Sequence, residues 1–397
     1  VKWHERYAQR LLRTKRPMGT PIWMLGQRHR IMRVPLGHVG IIATWNYPVQ
    51  LLGIQLVQAL VAGNRVTVKP SERSPETQAK LVSLAQVGLP DETLKLYNSG
   101  REAGARMLSQ ERFDHVVFTG STQVGRSIAE VLATTLTPST LELSGRDSVL
   151  VLQDADPKLA AASVWNMVSM NCGQTCMAPR RVLVHSVVYD AFCEHLRQHA
   201  AGSTPRRIID SGSGDRVRQL AREAQSQGAE LVPSLETSSD DTPGDGRSVV
   251  PRLALGAALS SRLADGDHFG PLAAAIRCES LEEMLAIHEK CHQHLATSVF
   301  TADLRTAERL ARELGAGSVA VNEVVMPTAH PGCSIQGRQE SGWGTSRGEE
   351  GLLAMTRGIH LAKVPKRPRV PVGEPDEKAI RQLRGFMKLL YGRGRRP

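Results

Sequence analysis

The sequence predicts an α/β fold with parallel sheets, laid out as two successive α/β regions. Three observations predict it. From Val39 onward, short β-branched runs alternate with helix-length segments, the pattern of βαβ units with helices on both faces of a sheet. Pro and Gly punctuate the starts and ends of those helical segments, as helix ends prefer. The 397 residues are 41% hydrophobic, enough for large buried cores.

The elements follow in order. Residues 39–45 read as a buried strand. Pro48 opens a helix to about Ala62, and Gly63 closes it. Residues 65–69 form the next strand, and a helix runs from Ser74-Pro75 to about Val87. Residues 94–97 and 115–118 are strands, the second passing through Gly120-Ser121 into a helix from about Gln123. In the second region, residues 148–152, 181–185, 296–300 and 318–321 read as strands. Helices are expected at 157–171, 186–200, 215–228, 281–292 and 304–314. Residues 237–246 have loop composition. Residues 365–375 hold four prolines and read as a linker.

Composition excludes several classes. No run nears the ~20 apolar residues of a spanning helix, and no secretory pattern opens the chain. The six cysteines lack any C-x-x-C pair, so neither a disulfide scaffold nor a zinc ribbon is expected. A reducing cytoplasm is the expected location. The net charge of +11 is concentrated: residues 363–397 hold eleven Lys/Arg and three Asp/Glu, or +8. No nucleic-acid motif accompanies that basic tail. A helix over 377–391 places Ile380, Leu383, Met387 and Leu390 on one face, so peripheral membrane contact is one expectation and packing onto protein another. His288, Cys291, His292 and His294 form a dense cluster, read as a helix end and loop, and no metal is expected.

Five motifs carry chemistry. Asn171-Cys-Gly-Gln-Thr-Cys176 places a thiol in a constrained turn between helix and strand. A thiolate is the best side-chain nucleophile for a carbonyl near neutral pH, although a lone cysteine is more often a buried structural one. In Thr140-Leu-Glu-Leu-Ser-Gly145, Leu141 and Leu143 flank Glu142. Burial would raise such a carboxyl and suit it to act as a general base; an edge-strand Glu facing solvent is the alternative. Asn46 of Thr44-Trp-Asn-Tyr-Pro48 lies at a strand-to-helix turn, as an oxyanion donor or a helix cap. Phe118-Thr-Gly-Ser-Thr-Gln-Val-Gly125 opens a helix whose N-terminus favours phosphate. Val68-Lys-Pro-Ser-Glu72 follows a strand and offers groups for ribose hydroxyls, or simply a solvated pair.

Together, in this order and with 34 residues between Glu142 and Cys176, these stretches resemble the aldehyde dehydrogenase superfamily. Pro35-Leu-Gly-His-Val-Gly-Ile-Ile-Ala-Thr-Trp-Asn-Tyr-Pro48, Gly63–Glu72 and Phe269-Gly-Pro271 extend the resemblance, which covers about residues 17–362. It implies a Rossmann-like cofactor domain (residues 1–143, with an oligomerisation hairpin at about 17–34) and an α/β catalytic domain (144–345). A return segment (346–364) and a Pro-rich linker with a basic tail (365–397) follow. It implies Cys176 as nucleophile, Asn46 as oxyanion donor and Glu142 as the base that activates water. NAD, or NADP, would be held by Lys69 and Glu72 at the adenine ribose. Trp45, Gly120, Ser121 and Val124 would line the same site, with Asp267 and Phe269 at the nicotinamide end. Tyr47 and Met170 match substrate-tunnel positions. The stretch at 21–33, with a strand near 360–364, would build a homodimer or a dimer of dimers.

The sequence also departs from the family pattern. The family's Glu-x-Phe-Gly-Pro reads Asp267-His-Phe-Gly-Pro271, its Gly-Gly after Leu-Glu-Leu reads Ser144-Gly145, and its Pro-Phe-Gly-Gly reads Ser334-Ile-Gln-Gly337. Its N-terminal helices are largely absent. Two alternatives to an aldehyde-oxidising enzyme therefore stay open: a catalytically impaired scaffold, and a CoA-acylating relative, which commonly lacks the Glu that stands here at Glu142.

Overall fold

A computed structural model describes residues 1–19, 24, 26–235, 245–265, 268–325, 329–364 and 373–391. The chain forms two compact units: residues 1–12 with 34–357, and residues 13–33 with 358–397.

The larger unit is built on two sheets. The first has six strands, in the order Gly342–Trp343, Ser139–Glu142, His115–Thr119, His38–Ile42, Arg65–Lys69, Leu94–Leu96. All pairs are parallel except the antiparallel pairing of Gly342–Trp343 with Ser139–Glu142. Side chains alternate across this sheet, as strand geometry requires. Val39, Ile41, Val66, Val68 and Val117 pack with Leu52, Leu56 and Ala59 on one face. Ile42, Val116, Phe118 and Leu141 pack with Met107 and Ile128 on the other. Both faces are therefore covered by helices, which explains why these strands read as unbroken apolar runs.

The second sheet has seven strands, in the order Glu230–Val232, Arg252–Leu255, Leu272–Cys278, Arg181–His185, Ser148–Val151, Ala296–Phe300, Ser318–Val321. Only Glu230–Val232 runs antiparallel. Leu150, Leu183, Ala274, Ile276 and Val299 face one core; Val149, Val151, Val182, Val184, Ala275 and Phe300 face the other.

Most expected elements are found within a few residues. Pro48 stands in a turn and the helix proper is Gln50–Val61, closed by Gly63 at φ +88°. The helix expected from Asp215 begins earlier, at Ser211, because Asp210 caps it by accepting from Ser213 N at 2.7 Å. Gly212 and Gly214 had masked that first turn, since Gly weakens a helical signal. Several elements were not anticipated, among them the helices Lys2–Leu12 and Ala103–Gln110, and the strands Arg252–Leu255 and Leu272–Cys278. Leu272–Cys278 reads Leu-Ala-Ala-Ala-Ile-Arg-Cys, and alanine favours helix by intrinsic propensity. Its place inside the sheet overrides that preference, because both faces are buried and crowded.

Arg28–Pro35 pairs with Thr356–Lys363 as a two-stranded ribbon, most of whose residues belong to the smaller unit. His29 and His360 stack across it, Nδ1 to Nε2 at 2.9 Å. The ribbon strand starts at Thr356, earlier than the expected 360–364. Part of the expected hairpin (20–23 and 25), the loop at 236–244 and the linker at 365–372 lie outside the described residues.

Candidate active site

The site is built on the turn that follows the helix Pro157–Ser169. That helix is capped by Asp156, which accepts from the backbone N–H groups of Lys158 and Leu159. Beyond it, Asn171, Cys172 and Gly173 all take left-handed backbone, at φ 49°, 56° and 63°. Asn and Gly tolerate this region; Cys172 stores strain there. At Gly173 a Cβ would stand 2.3 Å from the Gly270 carbonyl oxygen, so only glycine lets the two backbones approach. Gln174 pins the turn, donating from Nε2 to Asn171 O (2.9 Å) and accepting from Ile209 N (2.8 Å). The buried Arg180 donates to the carbonyls of Gly270 (2.9 Å), Gly173 and Thr175 (both 3.2 Å).

Asn46 and Tyr47 meet this turn from the other sheet. Asn46 Nδ2 donates to Gln174 O at 3.0 Å, and Asn171 Nδ2 donates back to Asn46 O at 3.0 Å. Tyr47 shares a hydrogen bond with Thr175 Oγ1 at 2.7 Å. Asn46 is therefore tied directly to the segment that carries Cys176, and it does not act as a helix cap, since the helix begins at Gln50. Met170 lies half-buried against the core beneath the second sheet.

Glu142 ends the strand Ser139–Glu142, where it pairs with Thr119 on one side and Gly342 on the other. The returning strand Gly342–Trp343 covers what would have been a sheet edge, so Glu142 is not a solvent-facing edge residue. Its Oε1 is buried without a partner. Burial raises its pKa above the usual carboxylate range, partly offset by Ser346, Arg347, Gln55 and Thr119. Three residues on, Gly145 N donates to Cys176 O at 3.3 Å, which links the two catalytic candidates through backbone. Burial pushes the Cys176 thiol up to about 12, and the negative charges of Glu142 and Asp147 add to it, while Arg347 pulls it down. The thiol and the carboxyl thus feel one another electrostatically.

The cofactor candidates lie at the carboxyl ends of the first sheet, where ligands of open α/β sheets bind. Lys69 Nζ, buried, pairs with Glu72 Oε2 at 3.0 Å. Burial acts to raise Glu72, but its own backbone N–H, Lys69 and Arg73 outweigh it and hold the carboxyl low. Ser121 caps the helix Thr122–Ala133, accepting from Val124 N at 3.4 Å. A Cβ on Gly120 would meet the Phe118 ring at 2.4 Å. Val124 is exposed on the first turn. Trp45 and Phe269 meet edge to face at 5.6 Å, with Arg73 over the Trp45 ring and Arg180 over the Phe269 ring. Asp267 lies outside the described residues. These groups fit a nicotinamide dinucleotide: helix N–H groups for a pyrophosphate, a paired Lys and Glu for ribose hydroxyls, and aromatic faces for a ring.

Sequence reasoning missed four residues of this neighbourhood. Asp147 is buried, accepts from Leu295 N (3.1 Å) and Ala296 N (2.6 Å), and leaves Oδ2 without a partner. Burial pushes it up to about 7. Charged residues opening apolar strands, as Asp147 and Arg180 do, were the available signal. Arg347, at φ 63°, and Arg73, paired with Asp210 at 2.7 Å, gave no such signal. In the histidine cluster, His288 bonds the Leu314 carbonyl at 2.9 Å and packs against His294 with the rings tilted by 46°.

Comparison with known proteins agrees with this geometry. Residues 1–359 match the family model described as the aldehyde dehydrogenase family. The 4,4'-diapolycopene aldehyde oxidase of a Methylomonas species is 30% identical over 409 aligned residues, covering 100% of this chain and 76% of that protein. The structure of the Mycobacterium tuberculosis aldehyde dehydrogenase complexed with NAD+ is 26% identical, with a TM-score of 0.81, covering 94% of this chain and 76% of that one. The NADP-dependent glyceraldehyde-3-phosphate dehydrogenase of Bacillus halodurans C-125, complexed with NADP, is 27% identical, with a TM-score of 0.80, covering 89% and 74%. The motif order and the two parallel sheets thus have a common origin: this chain belongs to the aldehyde dehydrogenase family of nicotinamide-dependent oxidoreductases.

Proposed function

We propose that the protein oxidises an apolar aldehyde to its carboxylic acid through a covalent intermediate on Cys176. The observation that carries this reading is the convergence of Asn46 and Glu142 on the turn that holds Cys176. The Cys176 thiol, protonated at rest, gives its proton up to bulk water, and the thiolate adds to the aldehyde carbon, giving a thiohemiacetal oxyanion. Asn46, whose amide keeps a second N–H beyond the one given to Gln174, and the Cys176 backbone N–H stabilise that oxyanion. A nicotinamide dinucleotide held at this site would supply the acceptor for the hydride that leaves the carbon. The Cys176 thioester that remains is hydrolysed by a water whose proton Glu142 takes, and the thiol is regenerated. A raised carboxyl pKa suits Glu142 to that role near neutral pH.

Lys69, Glu72, Gly120, Ser121, Val124, Trp45 and Phe269 would hold the dinucleotide. Glu72 favours NAD, since its ionised carboxylate repels a 2′-phosphate. Tyr47 and Met170 would border the aldehyde's path, and the Methylomonas relative is named a 4,4'-diapolycopene aldehyde oxidase. A cofactor part at 1–143 and a catalytic part at 144–345 would each centre on one sheet, with Gly342–Trp343 of the second range joining the first sheet, and the ribbon Arg28–Pro35 with Thr356–Lys363 would join two copies of the chain.

NADH formation across a panel of aldehydes, beside Cys176→Ala, tests the reading. Turnover is expected with the parent and none with the variant. Turnover that survives in Cys176→Ala would overturn the mechanism, and NAD binding without turnover in the parent would favour the impaired scaffold. NADH formation that requires added coenzyme A would favour the acylating alternative.

A further inference from the structure

The helix Glu377–Tyr391 takes no part in the chemistry above. Its start is built locally: Asp376 accepts from Ala379 N through its carboxylate (2.6 Å) and from Ile380 N through its carbonyl (3.0 Å). At roughly 100° per residue, Ile380, Leu383, Phe386 and Met387 fall within one arc of about 120°. Lys378, Arg381, Arg384 and Lys388 fill a separate arc of about the same width. The apolar arc is exposed, Leu383 by 64% and Met387 by 49%. Acidic residues are confined to the start, at Glu374, Asp376 and Glu377.

We infer that this helix docks in the plane of an anionic lipid bilayer, its apolar arc among the acyl chains and its basic arc among the headgroups. The charge pattern argues for that occupant. Basic residues continue on both sides of the helix in sequence, at Lys363, Lys366, Arg367 and Arg369 before it and Arg393, Arg395 and Arg396 after it. Positive charge spread over more than thirty residues suits a diffuse anionic surface better than one shaped protein pocket. A nucleic acid would use the charge but leave the apolar arc in water. The helix lies on the bilayer and does not cross it, since no described helix is long and apolar enough to span a membrane. An in-plane helix of this kind draws on apolar burial and electrostatic attraction together.

The full chain is floated with vesicles of phosphatidylcholine alone, or with about a third phosphatidylglycerol. At least tenfold more protein is expected on the anionic vesicles, with most released near 0.5 M salt as about 4 Å screening sets in. The triple variant Arg381→Gln, Arg384→Gln, Lys388→Gln and the double variant Leu383→Glu, Met387→Glu are each expected to lose most of that binding. Melting curves matching the parent's show that the body of the protein is intact; deletion of 377–397 replaces any variant that fails this check. Absence of parent binding to anionic vesicles overturns the inference. So does equal binding by the parent and the double variant or the deletion. Binding to duplex DNA without vesicle binding assigns the tail to nucleic acid instead and overturns it as well.

Discussion

At the scale of single residues, the chemistry of this site depends on how charges are arranged around a thiol in a dry turn. Burial holds Cys176 protonated, and Glu142 and Asp147 reinforce this, while Arg347 opposes it. Glu142→Gln removes one of those negative charges and also removes the proposed base for hydrolysis. Two opposite outcomes are expected. Alkylation of Cys176 by iodoacetamide at pH 8 should speed up, because the thiol pKa falls. Steady-state turnover should drop by about 10²–10⁴, leaving a single burst of NADH as thioester accumulates. Slower alkylation in the variant would show that the two groups are not coupled.

Asp147 gives a prediction with a definite sign. Its folded pKa is pushed up to about 7, from 3.8. The folded state therefore holds this proton more tightly than the unfolded state does. Its contribution to stability is full below about pH 4 and is lost as pH rises through about 7. Asp147→Asn removes that dependence. The melting temperature of the variant minus that of the parent should become more positive from pH 5 to pH 8; a constant difference would show that Asp147 does not titrate in this window.

At the scale of elements, the turn after the helix Pro157–Ser169 is the part that cannot be relaxed. Three successive left-handed residues and the backbone contact of Gly173 with Gly270 hold Cys176 where it is. Gly173→Ala adds about 1–2 kcal/mol for the left-handed conformation. It adds a further cost because the Cβ meets backbone that cannot rotate away. A lowered melting temperature together with lost turnover is expected, whereas Gly202→Ala, also at positive φ but with open space around its Cβ, should lose stability alone. Equal effects on turnover would remove the special role of the turn.

At the scale of the whole molecule, the two sheets contribute different parts of the candidate site. The first brings Asn46 and the cofactor groups to its carboxyl ends, and the second carries Arg180 and the strand that follows Cys176. The segment at 338–346 returns beside Glu142 and closes the edge of the first sheet. The ribbon of Arg28–Pro35 and Thr356–Lys363 is the remaining surface of note: two strands alone are marginal in water and present open edges. Light scattering on the purified chain is expected to give twice the mass of one chain, or four times it; the mass of one chain would remove the oligomer proposal.

Much of this was legible in the sequence. The strands 65–69, 181–185, 296–300 and 318–321 stand where the sequence placed them, because β-branched runs between Gly and Pro signals leave little choice. Cys176, Glu142 and Asn46 were legible as candidates, since each sits in a short motif whose order along the chain matches the family's. Other features existed only in three dimensions. The alanine-rich strand Leu272–Cys278 is a strand because neighbours bury both its faces, against its own propensity. Glu142 is protected because a strand from two hundred residues further on pairs with it. The pKa values of Cys176 and Asp147 follow from burial and from charges distant in sequence. The sequence by itself determined which groups are available and which elements carry them, through local propensity and turn chemistry. The tertiary structure decided how dry the site is and which charges face one another, because desolvation and Coulomb interaction depend on distances that only packing sets.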